Sequence, residues 1–335
     1  METDGRRVTS SDVARAAGLS RTTVSYVLNG DFRRIPEHTR QRVLAAADSL
    51  GYKPSAAARL LRGARSRLVL MVSPGLESAR DTIGGDIVTR LGQLLAEADL
   101  HLVWQLGLPS VGRAATDLAP AVVLVAPTEE EAAFADLRRR FAVPVLPAFP
   151  GLGGFLAASA RAQVDHLAGL GHQRLAFVRP AAPAFDLTAE FRQQAVERRA
   201  SELGLPAPVI LRVDDSRESA VAVLRSLRTR TDPVTSPVTA VCAYNDQVAF
   251  ALLAAADDLG LAVPEEMSVI GVDGDPLGEW TTPTLTSVRS DTAAFVSDLT
   301  SQVVALARGE ATTVEARLPE QARVVERSST AGPAR

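Results

Sequence analysis

Cysteine is almost absent from this sequence, with Cys242 as the single example in 335 residues. One thiol excludes an internal disulfide framework and any zinc site built on several cysteines. Aromatic residues make up only 4%, so a core must be built mainly from Ala, Val and Leu. Residues 121–126 form a purely apolar run, but neither this run nor any other approaches the roughly 20 residues that a membrane helix needs. Residues 1–7 lead into no apolar signal segment, and we therefore expect a soluble, cytoplasmic protein with no membrane partner.

The net charge is small, but the charges are unevenly distributed. Residues 1–65 carry twelve Arg and Lys against six Asp and Glu, a net of +6. Residues 66–335 carry 24 Arg against 33 Asp and Glu, a net of −9, and the two sums return the overall −3. A basic segment on an acidic body indicates contact with a polyanion, because phosphate contacts supply affinity that is independent of sequence. A basic, solvated surface without a partner would give the same count, so charge alone leaves both possibilities open.

Three short helical patterns fill the basic segment. Thr9 and Asp12 form a variant of the capping box in front of residues 10–17, and Gly18 ends that pattern. Ser20 precedes a second pattern over residues 21–28. A third begins after Pro36 and stops at Gly51. Two helices joined by a tight turn and followed by a bracing helix predict a helix-turn-helix domain.

The next residues, 52–63, predict a helix of about two turns between Pro54 and Gly63. Such a helix is marginal alone, because isolated helices need on the order of 12–15 residues. Its register leaves Leu60 or Leu61 exposed unless a partner covers it. We expect this segment either to pack on a surface or to fold only when bound.

From Leu68 onward, apolar strands alternate with helices, which is typical of parallel, doubly wound sheets. The stretch exceeds one such unit, so the sequence predicts two α/β lobes with a cleft between them. We place a lobe boundary near the Gly- and Pro-rich residues 147–154 and expect a frayed tail over 328–335. The expected strands are residues 68–72, 100–105, 121–126, 143–146, 174–178, 209–213, 239–243 and 267–272. The expected helices are residues 86–98, 129–141, 158–170, 190–203, 219–228, 247–259 and 292–308.

Several motifs occur in a specific order over residues 8–327. They are Asp12-Val13-Ala14, Ala17-Gly18-Leu19-Ser20, Thr23-Val24-Ser25, Val27-Leu28-Asn29, Leu50-Gly51-Tyr52, Leu170-Gly171-His172-Gln173-Arg174, Asn245-Asp246, Val263-Pro264-Glu265-Glu266-Met267-Ser268-Val269-Ile270-Gly271-Val272-Asp273 and Pro283-x-Leu285-Thr286. In residue type, order and spacing, this set closely resembles the LacI/GalR family of bacterial transcription regulators.

The resemblance implies a helix-turn-helix domain in residues 1–53 whose second helix lies in the major groove of double-stranded DNA. Arg21, Thr22 and Tyr26 then occupy the positions that contact base edges, and an arginine can pair bidentately with guanine. Contacts to the DNA backbone are implied for a set of hydroxyl and amide side chains, which would set register rather than sequence. This set is Thr9, Ser20, Thr23, Ser25, Asn29, Thr39 and Tyr52.

The resemblance also implies a minor-groove hinge in residues 54–65, with Ser55, Ala58 and Leu61 facing the DNA. Leu61 would act as the wedge that kinks the duplex, which explains why a marginal helix carries an exposed leucine. A homodimer that binds a pseudo-palindromic operator, most simply as a repressor, follows from the family and from helix-turn-helix geometry. Residues 66–330 then form the two-lobed domain for dimerisation and for a small-molecule effector of unknown identity.

Three residues are implied as effector contacts: Arg192, Asn245 and Asp273. Other positions depart from the family pattern, since Phe155-Leu156 stand where an Asp-Asn pair is common and residues 74–86 contain no aromatic. These losses indicate either a less polar effector than a sugar or a degenerate cleft with no effector, and both remain open.

Rival classes find little support. The four histidines have no metal-ligand spacing, and no Gly-x-Ser-x-Gly or phosphate-loop motif occurs, so we expect no enzyme activity, no metal and no cofactor. An exported solute-binding protein would share the two-lobed body but would have no use for the basic N-terminal segment.

Overall fold

We describe a computed structural model of the chain over residues 8–28, 35–52, 65–73, 82–106, 118–126, 138–139, 141–229, 237–311, 313 and 315–334. The chain divides into two compact units, Met1–Arg65 and Ser66–Arg335. The predicted class is confirmed, with a helix-turn-helix segment followed by two parallel α/β lobes.

The first unit contains helices α1 (Ser10–Ala17), α2 (Arg21–Leu28) and α3 (Glu37–Ser49). The predicted capping box begins α1, because Thr9 Oγ1 accepts from Asp12 N and Asp12 Oδ2 accepts from Thr9 N. Gly18 ends α1 with φ 61°, a left-handed conformation that costs glycine little. The small core that joins the three helices consists of Val13, Ala14, Ala17, Val24, Val27, Val43 and Ala47.

The N-terminal lobe of the second unit is built on a parallel sheet with strand order β2-β1-β3-β4. Its described elements are β1 (Leu68–Ser73), α4 (Thr82–Glu97), β2 (His101–Leu106), β3 (Val122–Val125) and β4 (Val145–Pro147). Val69 and Met71 pack into a core on one face, while Leu70 and Val72 pack into a core on the other. Burial of both faces explains why these strands are continuously apolar.

The C-terminal lobe has the strand order β10-β9-β8-β7-β5-β6, in which only β10 is antiparallel to its neighbour among the described strands. β5 has β6 on one side and β7 on the other, so the chain reverses its winding direction between β5 and β7. The elements are α5 (Leu152–Gly169), β5 (Leu175–Pro180), α6 (Asp186–Glu202), β6 (Val209–Val213), α7 (Arg217–Thr229), β7 (Ala240–Ala243), α8 (Asp246–Asp258), β8 (Ser268–Val272), β9 (Thr286–Arg289), α9 (Ala293–Ala307) and β10 (Arg323–Val325). Short 3-10 helices cover Pro183–Phe185 and Pro276–Glu279.

The chain crosses between the lobes along α5, before α9 and before β10. The start of α5 contributes Phe155 and Leu156 to the N-terminal core, and its later turns contribute Val164 and Leu167 to the C-terminal core. α9 packs entirely against the N-terminal core although β9 before it belongs to the other sheet. The chain therefore passes between the lobes three times, and the continuous helix α5 contributes residues to both cores.

The structure corrects two expectations. α5 begins at Leu152 rather than at residue 158, so Gly153 and Gly154 lie inside a helix. The nearest neighbours of a Cβ built at position 154 belong to the flexible, exposed side chain of Glu320. The tail is not frayed over 328–334, since Ser329 is fully buried and its hydroxyl donates to Val269 O over 2.6 Å.

Candidate DNA-reading helix and ligand cavities

α2 presents an exposed face and a buried face. Val24 and Val27 are buried in the small core, whereas Arg21, Thr22 and Tyr26 are exposed, with half of the Tyr26 surface accessible. The three predicted base-contacting residues therefore share the outer side of one helix. An exposed guanidinium, hydroxyl and phenol are chemically suited to reading base edges in a major groove.

The residues predicted to contact the DNA backbone lie around this helix, and several also serve as caps. Ser20 Oγ accepts from Thr23 N over 3.0 Å and lies 2.8 Å from Thr23 Oγ1. Tyr52 packs against the small core, and Thr39 and Ser25 are half-buried. The role of these side chains toward phosphates stays a prediction. Asn29, Ser55, Ala58 and Leu61 lie outside the described residues.

Arg192 on α6 is fully buried in the C-terminal lobe. Its guanidinium lies over the Tyr244 ring, 4.6 Å from the centroid, and Nη1 donates to the Tyr244 carbonyl. Arg192 Nη2 lies 3.6 Å from Asp273 Oδ1, and both side chains are 1% exposed. The ring, the carbonyl and the carboxylate together compensate a charge that would be costly to bury alone.

Asn245 follows β7 and is nearly buried, with 3% of its surface accessible. Its Oδ1 accepts from Val248 N over 3.0 Å and so caps α8. The residue lines a cavity of about 330 Å³ at the carboxyl ends of β5, β6 and β7, which we call the first cavity. The first cavity is lined by Pro180, Phe185, Val213, Asp214, Asp215, Ser216, Arg217, Asn245, Gln247, Val248, Ala251 and Ala254.

Asp273 follows β8 and adopts φ 113°, a conformation that few non-glycine residues take. It lines a different cavity, of about 350 Å³, between α4, the loop after β8 and the start of α9. This second cavity is lined by Asp86, Arg90, Asp273, Gly274, Asp275, Pro276, Arg289, Ser290, Asp291, Thr292 and Arg323. The structure thus places Asn245 on one cavity and Asp273 on the other, and Arg192 lies beside Asp273 without lining either of them.

Asp246 is a residue whose importance the sequence reasoning did not identify beyond its place in a motif. Ser287 Oγ donates to Asp246 Oδ1 and Asp275 N donates to Asp246 Oδ2, both over 2.6 Å. Burial raises the pKa of the Asp246 carboxyl to about 7, although the Ser287 and Asp275 hydrogen bonds act in the opposite direction. A Cβ at Gly271 would overlap Asp246 Oδ1, so the carboxylate fills the space that this glycine leaves. Asp246 therefore anchors the loop that carries Asp273.

Tyr244 was also missed, although it directly precedes the Asn245-Asp246 pair. Its hydroxyl lies 2.7 Å from Thr188 Oγ1, and its ring makes an edge contact with Phe185 at 5.9 Å between centroids. Phe185 in turn lines the first cavity. An aromatic residue next to a cleft motif was the signal that could have identified this cluster.

None of the described residues forms a group of three or more His, Cys, Asp or Glu side chains arranged to hold a metal ion. Among the described helices, none has the length and apolar character required to span a bilayer.

Comparison with known proteins finds family matches within both units. A profile for "Bacterial regulatory proteins, lacI family" matches residues 9–55, and one for a "Periplasmic binding protein-like domain" matches residues 164–330. The lactose operon repressor of Escherichia coli K12 is 27% identical over 346 residues, covering 97% of this chain and 91% of that protein. The HTH-type transcriptional regulator MalR of Streptomyces coelicolor is 28% identical over 306 residues, covering 85% and 86%.

The fold is likewise found among solved structures. The crystal structure of the lac repressor dimer bound to operator and the anti-inducer ONPF aligns with a TM-score of 0.79 at 23% sequence identity. The alignment covers 97% of this chain and all of that chain.

Proposed function

This chain belongs to the LacI family of bacterial transcription regulators, and we propose that it is a repressor that binds a pseudo-palindromic operator as a homodimer. Like its relatives, it is a DNA-binding regulator, and it is not an enzyme. In this proposal residues 1–53 bind the major groove, 54–65 form the minor-groove hinge, and 66–330 dimerise and bind an effector in the cytoplasm.

The observation that carries the proposal is the exposed face of α2. Arg21, Thr22 and Tyr26 point away from the small core while the capped ends of α1 and α2 fix the orientation of the helix. The net +6 of residues 1–65 supplies the attraction to phosphates.

A homodimer is supported by the exposed apolar side chains that follow β8. Trp280 is 81% exposed and Leu277 is 48% exposed, and large apolar groups at this level of exposure mark interaction sites when they cluster. The related lac repressor was crystallised as a dimer on its operator. Two-fold symmetry of the protein then requires two-fold symmetry of the DNA site.

Effector binding is supported by the two cavities at the carboxyl edge of the C-terminal sheet. Ligands of open α/β sheets bind outside the carboxyl ends of the strands, at the position where the winding direction reverses. A ligand that binds one conformation more tightly than another would change operator affinity by that difference.

A regulator with a degenerate cleft and no effector is the second candidate. The complete burial of Arg192 favours it, because this guanidinium is already held by Tyr244 and Asp273. The same interior pairing would be unnecessary if the guanidinium were reserved for a ligand.

Selection of bound sequences from a random DNA pool tests the DNA-binding proposal. With the full-length protein at about physiological salt, we expect an enriched inverted repeat with a flexible pyrimidine–purine step at its centre. A variant with Arg21, Thr22 and Tyr26 replaced by alanine keeps the buried face of α2 and should enrich no repeat. The proposal is contradicted if this variant enriches a repeat. It is also contradicted if the wild type enriches no repeat, both in the absence and in the presence of cell-extract metabolites.

A further inference from the structure

Two successive backbone amides hold the loop that follows β8. Gly274 N donates to Ser287 Oγ over 3.0 Å. Asp275 N donates to Asp246 Oδ2 over 2.6 Å, and the Ser287 hydroxyl donates to Asp246 Oδ1 over the same distance. Both amides therefore depend on one fully buried carboxyl, the first through a hydroxyl and the second directly.

The same loop leads into the exposed apolar side chains Leu277 and Trp280. Asp275 Oδ1 accepts from Leu277 N over 2.9 Å and so begins the 3-10 helix Pro276–Glu279, which Trp280 follows. Leu277 and Trp280 are the side chains of the proposed dimer contact. The position of this contact is thus set by a segment that starts at an amide bonded to Asp246.

The ionised and the protonated forms of Asp246 cannot hold the loop equally well. A carboxylate accepts at both oxygens, which satisfies Asp275 N and the Ser287 hydroxyl together. A proton on Oδ2 would face the Asp275 N–H, donor against donor. A proton on Oδ1 would turn the Ser287 hydroxyl toward Val288 O, which lies 3.5 Å away, beyond the about 2.5–3.0 Å of ordinary O–H···O bonds. Protonation at either oxygen therefore weakens the hold on the loop.

The Asp246 carboxyl titrates near neutrality because it is buried. It forms no ion pair with any described residue, and burial raises its pKa to about 7. The nearby charges partly cancel, since Asp275 raises this pKa and Arg192 on α6 lowers it. Arg192 is itself paired with Asp273 at 3.6 Å. β8 and β9 present uncharged neighbours to the carboxyl, namely Gly271 and Ser287.

We propose that Asp246 is a pH-responsive switch for dimerisation, in which the ionised carboxylate holds residues 273–280 in the dimer-forming arrangement and the protonated form releases them. Two protonation states with different loop contacts supply the two-state element that such regulation requires. Because the dimer prefers the ionised form, dimer formation releases protons, and dimer affinity rises with pH. This contribution is present above about pH 7 and is lost as pH falls below it. The inference rests on the proposed homodimer, whose pH response it specifies.

Sedimentation of the full-length protein over a series of concentrations tests the proposal, by giving the dimer dissociation constant at about pH 6 and about pH 8. We expect the wild type to dimerise on the order of tenfold more tightly at the higher pH, as is typical of coupling between two sites. A merely structural role of Asp246 predicts no change or the opposite sign, because ionisation of the same buried carboxyl destabilises the fold as pH rises. Equal affinities, or weaker dimerisation at the higher pH, overturn the proposal.

Asp246→Asn fixes the hydrogen-bond pattern of the protonated form, because its amide oxygen accepts from Asp275 N while its amide nitrogen donates to Ser287 Oγ. Its dimer affinity should be the same at both pH values and equal to that of the wild type at about pH 6. Asp257→Asn, which changes an exposed aspartate on the same helix, should keep the wild-type pH dependence. If Asp246→Asn keeps it as well, another group titrates and the proposal is wrong.

Ser287→Ala gives a second test that does not depend on the folding of Asp246→Asn. The change removes a hydrogen bond that favours the ionised carboxyl, so the pH at which dimerisation strengthens should move upward. A midpoint that stays in place or moves downward contradicts the proposal.

The sedimentation data also separate this inference from the proposed function. A wild type that dimerises with equal affinity at both pH values refutes the inference and leaves the homodimer standing. A wild type that is monomeric at both pH values refutes the homodimer, and the inference with it. DNA binding is tested independently by selection from the random pool.

Discussion

Arg21 is the first residue of α2 and lies on the same exposed face as Thr22 and Tyr26. Arg21→Ala should relax the base preference at one symmetric pair of operator positions, because a bidentate arginine–guanine pair contributes about 1–3 kcal/mol of discrimination. Base preference is read from the selected sequences and from competition with operators changed at single positions.

Arg15→Ala is the matched control for this prediction. Arg15 is an exposed arginine on α1, paired with Asp12 at 3.2 Å, so its removal takes the same charge from the same unit. The control should weaken binding to all sequences equally, if at all. If Arg21→Ala behaves like the control and only flattens the salt dependence, then Arg21 is a phosphate contact.

The buried carboxyl of Asp246 makes the stability of the second unit depend on pH. Its folded pKa of about 7 lies above the ordinary 3.8, so the folded protein binds more protons than the unfolded chain between these values. Unfolding free energy therefore falls as pH rises through this range, by about 1.4 kcal/mol per pH unit. Asp246→Asn cannot titrate, and between pH 5 and 7 we expect the wild type to lose on the order of 2 kcal/mol more than the variant.

Urea unfolding followed by tryptophan fluorescence measures this difference. Both tryptophans, Trp104 and Trp280, belong to the second unit, so the signal reports that unit alone. His166 and His172 have pKa values lowered by burial, which makes stability rise with pH near neutrality, but they are present in both proteins and cancel. Parallel pH dependences of wild type and variant would contradict the assignment.

Residue types near the cleft were predictable from motifs, but their partners were not. The Asn245-Asp246 pair and Asp273 were identified by position, yet nothing in the sequence indicates that Asp246 meets Ser287 or that Arg192 meets Asp273. These contacts join residues far apart in the chain, and the geometry that forms them is set by the packing of β7, β8 and β9. The Arg192–Asp273 pairing is visible only in the folded structure.

At the scale of secondary-structure elements, the hinge segment of residues 54–65 gives the sharpest test of the DNA-binding proposal. Leu61→Ala should lower affinity for the selected operator by at least about tenfold and change affinity for random DNA little, because the wedge contributes only when the duplex is kinked. Gel-shift titrations with the selected repeat and with random DNA measure both affinities.

Leu60→Ala is the matched control, since it removes the same side chain one position earlier in the same segment. It should affect the two affinities much less than Leu61→Ala does. If Leu61→Ala lowers the affinities for operator and for random DNA equally, this result argues against a minor-groove wedge. If Leu60→Ala rather than Leu61→Ala selectively lowers operator affinity, Leu60 is the wedge.

Helix and strand types were largely predictable because apolar periodicity is strong in the second unit. β9 and β10 were missed because each is short, and β9 carries polar Thr286 and Ser287 inside the sheet. The tail was predicted to fray because chain termini are commonly poorly ordered. In the structure its hydroxyls hold it in place, with Ser328, Ser329 and Thr330 bonded to Thr284, Val269 and Thr286.

At the scale of the whole molecule, the exposed Trp280 tests dimerisation. Trp280→Glu should shift the protein from dimer toward monomer and lower operator affinity strongly, because a single protomer then binds one half-site alone. Sedimentation velocity measures the assembly state. Leu203→Glu, which places the same charge on an exposed leucine after α6, should leave a dimer. A dimeric Trp280→Glu variant would place the dimer contact elsewhere.

The division of each lobe between distant stretches of chain has a consequence for synthesis on the ribosome. The small core of the first unit is complete once Ala47 has emerged, whereas the N-terminal lobe still lacks Phe295, Leu306 and Leu318 until nearly the whole chain is made. Domains fold as their residues become available, N-terminal first. A prematurely released chain would thus carry a folded first unit followed by an unfinished second unit, and the N-terminal lobe is completed only when translation has passed Leu318.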